Sequence, residues 1–303
     1  MTAAAAGRTA RRRRAFSRGD RLTLALFVGV PTALHVALVW LPAIATILLS
    51  FTFWTGIRYG DIAWAGLANY ENIFFSTPAF WDALRNNAIW LGWFGLIATP
   101  LGVLLAYEID RQIRGHRFYQ SAYYLPVVLS LAVTGIIWNF MLRPDGFVNG
   151  LLGRDISNAV SFFGNYDINI YVIMVIASWR HIGYIMLLYL AGLKSVDPAM
   201  REAASLDGAT EWETFRKVIL PTMRPVNIII VVITIIESLK AFDIIYVIYG
   251  TSAGLPILGI LVFQNIAGEG ASMKGAAFAV LLFLLSIGPI ITYLRQQFRE
   301  DVR

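Results

Sequence analysis

Long apolar segments recur along the whole chain and constrain its fold more than any other feature. Only 15% of the 303 residues are charged and 57% are hydrophobic, whereas a soluble domain carries about 25% charged residues. The segments are also longer than the roughly ten residues that a strand of a membrane barrel needs. We therefore predict an all-α membrane protein with six transmembrane helices. The predicted spans cover residues 22–53, 87–107, 118–142, 169–193, 226–249 and 276–294.

The distribution of basic residues predicts how these spans are oriented. Most of the 25 lysines and arginines lie in four segments, residues 1–21, 108–117, 194–225 and 295–303. Because short loops rich in Lys and Arg stay on the cytoplasmic side, we predict that both chain termini and residues 194–225 are cytoplasmic. The chain then consists of a basic cytoplasmic tail, a six-span domain over residues 22–294, and a short C-terminal cytoplasmic tail.

The four consecutive arginines at residues 11–14 lie directly before the first span. The apolar run that follows them continues for about 30 residues, which is longer than the apolar core of a secretion signal. We therefore predict an uncleaved first span. Beside such a span, an arginine run binds anionic lipid, so the predicted partner is the lipid bilayer and not nucleic acid.

The polar stretch at residues 202–225 has the start and stop signals of two short helices. Asp197 can cap the first helix, and Gly208 can end it because glycine accepts the left-handed conformation at a helix C-terminus. Thr210 and Glu213 have the spacing of a capping box, which predicts a second helix. That helix can run to Leu220, after which Pro221 bends or breaks it.

The first of these helices has an apolar side that no core within the loop could cover. This side is formed by Met200, Ala203, Ala204 and Leu206. Small side chains let another surface approach closely, which favours docking on a partner protein. The alternative is an amphipathic helix that lies on the lipid surface, although these side chains are too small and too few to anchor it well.

The same stretch resembles the EAA loop of ABC-importer permeases, in which Glu-Ala-Ala precedes a glycine and then a Leu-Pro pair. This chain has Glu202, Ala203, Ala204, Gly208, Val218, Leu220 and Pro221 at that spacing. Asp207, Ala209, Phe215 and the outer stretch Gly66-Leu67-Ala68-Asn69-Tyr70 resemble the carbohydrate-importer branch. The resemblance implies a coupling loop at residues 194–225 that seats in an ATPase. The implied coupling residues are Met200, Glu202, Ala203, Ala204, Leu206, Asp207, Gly208, Ala209, Phe215, Leu220 and Pro221.

This resemblance implies a transport subunit in the cell membrane of a prokaryote. The implied partners are a second permease that completes a heterodimer, a cytoplasmic pair of ABC ATPase subunits and an extracytoplasmic solute-binding protein. The implied function is ATP-driven import of a sugar, an oligosaccharide or a related polyol derivative by alternating access. A stand-alone secondary carrier or channel is the alternative, but it would not explain the apolar helix in the loop.

The chain itself offers no site for catalysis. It has no Gly-Lys dipeptide and therefore no phosphate-binding loop of the Walker type,. It has no cysteine, and no metal-binding spacing links its three histidines, His35, His116 and His181,. We therefore expect a transport subunit that is not an enzyme and binds no cofactor, with ATP and Mg²⁺ held by the partner ATPase.

Charges inside the fifth predicted span are costly in a membrane and therefore indicate function or pairing. Glu237, Lys240 and Asp243 follow one another at three-residue spacing, so Lys240 can pair with either carboxylate on one helix face. One interpretation is an ion pair that joins the bundle internally. The other is a polar lining for a hydroxylated substrate.

Two further polar interruptions are candidates for the substrate path. Trp179 and Arg180 lie in the fourth predicted span, and Trp138 and Asn139 lie in the third. A sugar ring favours an aromatic face beside hydrogen-bonding groups, which these neighbours can supply. Helix packing by the tryptophans and pairing of Arg180 with a loop carboxylate is the alternative.

Overall fold

The structure is a computed structural model that describes residues 17–54, 62–111, 114–250, 254–267 and 273–301, and these residues are mostly helical. The chain divides into two compact units, one that ends at Leu48 and one that begins at Leu49. The arginine run of the N-terminal tail and the last two residues of the C-terminal tail lie outside the described residues.

The first unit is one long helical segment. It begins with α1 (Arg18–His35), whose N-terminus is closed by a capping box. A turn of π-helix, Val36–Trp40, joins α1 to α2 (Leu41–Leu49). The candidate span Leu22–Leu49 is strongly apolar and unburied. A helical segment of this length and composition can cross the hydrocarbon core of a bilayer.

The described part of the second unit holds a short antiparallel ribbon and fourteen further helices. The ribbon pairs β1 (Thr52–Phe53) with β2 (Ala63–Trp64). The helices are α3 (Ala68–Ser76), α4 (Pro78–Trp93), α5 (Thr99–Asp110), α6 (His116–Val128), α7 (Leu131–Leu142), α8 (Phe147–Leu151), α9 (Asn169–Leu193), α10 (Pro198–Leu206), α11 (Glu211–Thr214), α12 (Leu220–Thr222), α13 (Arg224–Leu239), α14 (Asp243–Tyr249), α15 (Leu258–Ala267) and α16 (Lys274–Asp301).

Three turns of π-helix in the described residues each precede a proline by the same distance. They cover Val36–Trp40 before Pro42, Phe94–Ala98 before Pro100 and Phe215–Ile219 before Pro221. Proline has no N–H and its ring crowds the carbonyl one turn back. In each case the residue before the proline bonds five positions back, as the N–H of Thr99 does to the oxygen of Phe94. The helix therefore continues past the proline, and α12 extends beyond the predicted end at Leu220.

Among the described residues, four helices are long and apolar enough to cross a membrane, or five if one bent pair is a single span. The four candidate spans are Leu22–Leu49, Pro78–Asp110, Asn169–Leu193 and Lys274–Arg295. The second of these, Pro78–Asp110, consists of α4, a π turn and α5 and is called span two below. The prediction of an all-α membrane protein is confirmed at this level, but six uninterrupted spans are not what the structure shows.

Two of the predicted spans are broken. The third divides into α6 and α7 with a bend of 101°, because Ser130 is extended and caps α7 by accepting a hydrogen bond from the N–H of Val133. The fifth divides into α13 and α14, with Lys240, Ala241 and Phe242 between them. Non-helical backbone at membrane depth is tolerated where it is buried in protein or lines a cavity, so both breaks indicate an internal space.

A polar layer separates two apolar clusters of the second unit. One cluster includes Phe94 and the other includes Phe215. Between them along the helices, the hydroxyl of Thr99 lies 3.0 Å from Nε2 of His181 and 2.9 Å from the hydroxyl of Thr234. His181 is at the midpoint of the 25-residue helix α9. The polar layer therefore lies near the middle of the helical bundle.

Candidate coupling loop and transport cavity

The helix N-termini of the coupling loop are capped as the sequence predicts. The carboxylate of Asp197 accepts a hydrogen bond from a backbone N–H at the start of α10 at 2.9 Å. Thr210 and Glu213 form the predicted capping box at the start of α11. The ammonium of Lys217 lies 2.9 Å from the Glu213 carboxylate. This bond, followed by the bonds from Thr210, lowers the pKa of Glu213 to about 2, so the cap stays charged at neutral pH.

The C-terminus of α10 also has the predicted conformation. The N–H of Gly208 bonds to the oxygen of Ser205 at 3.1 Å, and the N–H of Ala209 bonds to the oxygen of Ala204 at 3.0 Å. This pair of bonds is a Schellman motif, which needs a left-handed residue. Gly208 fills that position with a φ of +77°, and nothing lies within 4 Å of its missing Cβ. The chain's exit from α10 therefore depends on this glycine.

The predicted coupling residues divide into an exposed and a buried group. The exposed residues are Met200, Glu202, Ala203, Leu206, Asp207, Gly208, Leu220 and Pro221. Leu206 is 90% exposed, whereas Ala204 and Phe215 are each only 7% exposed, and Ala209 is half-buried. Ala204 and Phe215 therefore support the loop from within the chain, and the exposed group is the one available to a partner.

A cavity of about 220 Å³ lies at the polar layer. Its walls come from four predicted spans and from the break between α13 and α14. The lining residues are Trp90, Phe94, Leu131, Ala177, Arg180, His181, Tyr184, Glu237, Lys240, Ala241, Phe242, Asp243 and Ile244. The cavity thus brings together the charges that the sequence singled out in the fourth and fifth spans.

The four charged side chains that line the cavity make no salt bridge within the part of the chain that the structure describes. The structure therefore does not show the ion pair between Glu237 and Lys240 that one of the two interpretations requires. Lys240 is the first residue past α13, with φ −90° and ψ 14°, and its N–H still bonds to the oxygen of Ile236. Nε of Arg180 is buried and has no hydrogen-bond partner among the described residues. Unpaired charges at this depth indicate a functional site.

Asn87 secures the broken end of α13. Its amide nitrogen lies 3.2 Å from the oxygen of Ser238 and 3.4 Å from the oxygen of Leu239, while its amide oxygen accepts a hydrogen bond from the N–H of Leu258 at 2.9 Å. Carbonyl groups at a helix C-terminus have no partner within the helix. A side chain of α4 therefore satisfies the carbonyls that the break leaves free.

We expect Asn87→Leu to lower the free energy of unfolding by about 1–3 kcal/mol, because it leaves buried carbonyls and an N–H unpaired. Thermal unfolding of the purified protein in detergent measures this loss. Asn86→Leu is the matched control, since among the described residues Asn86 makes a single side-chain hydrogen bond, at 2.7 Å to the oxygen of Pro256. Equal stability of the two variants would contradict the role assigned to Asn87.

The remaining substrate-path candidates do not line the cavity. Trp138 and Trp179 pack edge to face with ring centroids 5.8 Å apart, and Asn139 is half-buried beside them. Leu131 is the residue of α7 that reaches the cavity. Trp138 is seven residues further along α7, about 10 Å at 1.5 Å per residue, so the packing interpretation fits these tryptophans.

The aromatic part of the cavity wall was not predicted from the sequence. Trp90, Phe94, Tyr184 and Phe242 all line it. Phe94 lies in the π turn of span two, and its ring centroid is 4.3 Å from that of His181. The available signal was Pro100, because a proline inside an apolar span forces a local widening of the helix, and π turns often occur at functional sites.

Comparison with known families identifies the chain. The model of a family described as "Binding-protein-dependent transport system inner membrane component" matches residues 5–302. The chain belongs to this family. It is therefore a permease subunit and a multi-pass membrane protein, in agreement with the resemblance noted in the coupling loop. The family consists of transport subunits and not of enzymes.

Similar proteins extend over most of the permease. It is 31% identical to a probable ABC transporter permease protein of Pyrococcus horikoshii, over 89% of this chain and 91% of that protein. It is 30% identical to the xylose/arabinose import permease protein of Haloferax volcanii, over 95% of this chain and 92% of that protein. The fold is similar to that of a chain in a solved bacterial alginate ABC transporter in complex with an alginate pentasaccharide-bound periplasmic protein. The TM-score is 0.77 and the identity 20%, over 93% of this chain and 95% of that chain. At that identity the likeness shows a shared fold.

Proposed function

We propose that this permease carries a sugar, an oligosaccharide or a related polyol derivative across the membrane as part of an ATP-driven importer. The cavity supports this proposal, because it presents two cationic and two carboxylate side chains that are not paired with one another. Hydroxyl groups donate to carboxylates and accept from cations. The relative that is named for import of xylose and arabinose supports the carbohydrate class.

The shape of the cavity also suits a carbohydrate ring. Trp90, Tyr184 and Phe242 add aromatic side chains to the polar lining of the cavity, and a sugar presents both apolar and polar surface. The volume of about 220 Å³ is below the roughly 300–1,000 Å³ of pockets that enclose drug-sized ligands. We therefore propose that the cavity holds one sugar ring at a time, with the rest of an oligosaccharide outside it.

We propose that the coupling loop seats in a cytoplasmic pair of ATPase subunits, which hold ATP and Mg²⁺, and that this chain binds no cofactor itself. A second permease completes the pore, and an external solute-binding protein delivers the substrate. The exposed residues Glu202, Leu206 and Gly208 support the docking role of the loop. Closure of the ATPase pair on ATP moves the loop and opens the cavity alternately to the two sides.

We propose six membrane passages, counting α6 with α7 and α13 with α14 as single broken spans, and both termini in the cytoplasm. A reporter fused after residue 303 or within residues 194–201 is expected to be active on the cytoplasmic side. One within residues 150–165 is expected to be external, because the basic residues favour that orientation. An external reporter activity at residues 194–201 would rule out contact between this loop and a cytoplasmic ATPase.

The experiment that tests the function is reconstitution of the permease with its partner permease, the ATPase subunits and the binding protein in proteoliposomes. We expect radiolabelled xylose, arabinose or a longer carbohydrate to enter only with ATP and binding protein. Uptake by the permease alone without ATP would instead support a secondary carrier or channel.

A further inference from the structure

Two ion pairs join the coupling loop to the last turn of α5. A guanidinium nitrogen of Arg201 on α10 lies 2.7 Å from the carboxylate of Asp110. A guanidinium nitrogen of Arg111 lies 2.7 Å from the carboxylate of Glu211 on α11. The two pairs have opposite polarity, because the helix end and the loop each contribute one acid and one base. The two surfaces are therefore complementary in charge where the loop meets the end of α5.

Aromatic and apolar contacts surround these charges. Tyr107 donates a hydrogen bond to the backbone oxygen of Glu211 at 3.4 Å, and its ring centroid lies 4.8 Å from that of Phe215. Asp110 has a side chain that is only 12% exposed. An exposed ion pair contributes little, but removal of one partner from a partly buried pair leaves an uncompensated charge. The contact is therefore more than a set of surface charges.

Span two, which ends at the loop contact, also reaches the cavity. From Asp110, span two runs through Pro100 and the π turn to Phe94 and Trp90, which line the cavity. The sixteen helical residues after Phe94, up to Asp110, correspond to a length of about 24 Å. At Gly102 the span packs so closely on α9 that an added Cβ would lie 2.8 Å from Ile185. Span two is therefore a tightly packed helical segment that contacts the loop at its C-terminal end and lines the cavity nearer its middle.

We propose that Asp110, Arg111, Arg201 and Glu211, here called the loop brace, transmit movement of the coupling loop along span two to the cavity. This inference rests on the proposed function. The loop is covalently continuous with α9 and α13, and the brace adds a third route through a helix that is distant in sequence. The four residues are positioning residues, since none of them lines the cavity.

The test uses the complete transporter complex and a cysteine in place of Leu131 in the cavity wall. The chain has no cysteine of its own, so modification of this position by a methanethiosulfonate reagent can be followed by mass. Mg-ATP is expected to change the modification rate by about tenfold or more, because the thiol must be accessible to react. The change is expected to fall below about threefold in Arg201→Asp and in Asp110→Arg, and to recover when the two are combined.

Co-purification of the ATPase separates transmission from assembly, because a purely structural role predicts an unchanged response in every complex that assembles. Glu108→Gln is the matched control. The carboxylate of Glu108 lies 3.7 Å from the guanidinium of Arg111, so this pair stays within one turn of the chain and does not bridge to the loop. If a charge-reversed variant does not assemble, Arg201→Gln and Asp110→Asn carry the same test with a smaller expected loss.

Full Mg-ATP response in the assembled single variants overturns the inference. Equal loss in the single variants and in the combined exchange also overturns it, because the pairing would then not matter. Absence of any Mg-ATP response in the complex with an intact brace is a different result, since it contradicts the proposed function itself.

Discussion

Gly208→Asp is expected to abolish ATP-driven uptake while the protein remains inserted and paired with its partner permease. Gly208 has a φ of +77°, a left-handed conformation that glycine adopts freely and that aspartate tolerates less well than glycine but better than most residues. The new carboxylate would also lie at the C-terminus of α10, where a negative charge is unfavourable. The exit of the chain from α10 would change, and the exposed face with Leu206 would turn away from the ATPase. Co-purification of the ATPase and uptake by proteoliposomes measure the loss.

Two control variants separate this effect from general destabilisation. Gly153→Asp places the same side chain at another exposed glycine with positive φ, +65°, and nothing within 4 Å of its missing Cβ, in the segment between α8 and α9. Gly208→Asn places a side chain of the same size at this left-handed position but without the charge at the C-terminus of α10, and it is expected to retain most of the uptake. Glu202→Ala should be milder than Gly208→Asp, because an exposed ion pair contributes about 0–1 kcal/mol. Wild-type ATPase binding and uptake in Gly208→Asp would show that this loop is not the coupling element.

The coupling loop could be predicted in detail because its signals are local. Asp197, Thr210 and Glu213 each act on backbone groups within three residues, so their effect is visible in the sequence alone. Gly208 is similar, since its left-handed conformation is a property of one residue. The ATPase-coupling role of these residues remains a proposal, because it depends on a partner surface that lies outside this chain.

The breaks in the spans could not be predicted in the same way. The fifth predicted span reads as one apolar helix, yet α13 ends at Leu239. The carbonyls at that end are satisfied by Asn87, which is about 150 residues away in sequence, and such a long-range bond leaves no local signal. The ion-pair interpretation of Glu237, Lys240 and Asp243 assumed one continuous helix through all three residues, which the structure does not have.

The charged residues that line the cavity could be predicted from the sequence, but the aromatic residues that line it could not. Arg180 and Glu237 were identifiable because a charge in an apolar span is energetically costly and therefore indicates pairing or function. Trp90 and Phe94 were not, because an aromatic residue in a span is more often part of the packing. Their assignment needed the π turn before Pro100 and the contact between Phe94 and His181, which join separate spans.

Exchange of the two charges at the break, Glu237→Lys combined with Lys240→Glu, is expected to remain inactive in uptake. Both side chains line the cavity and neither makes a salt bridge among the described residues, and we therefore expect each of them to contact the substrate separately. Loss of a hydrogen bond to a charged group costs about 1.5–3 kcal/mol, which corresponds to at least about tenfold in transport by each single variant. Uptake by proteoliposomes, normalised to the amount of assembled complex, measures the effect.

The exchange of Arg201 and Asp110 provides the comparison, because those two residues are 2.7 Å apart and their exchange should restore function. The cavity exchange should not, since restoring the net charge does not restore the position of each group relative to the substrate. The binding protein should still bind its sugar, because that step occurs outside the membrane. Recovery of uptake in the cavity exchange would show that Glu237 and Lys240 act as an ion pair, and the substrate-binding role would then pass to Arg180 and Asp243. Normal uptake in both single variants would remove the break of the fifth span from the transport path.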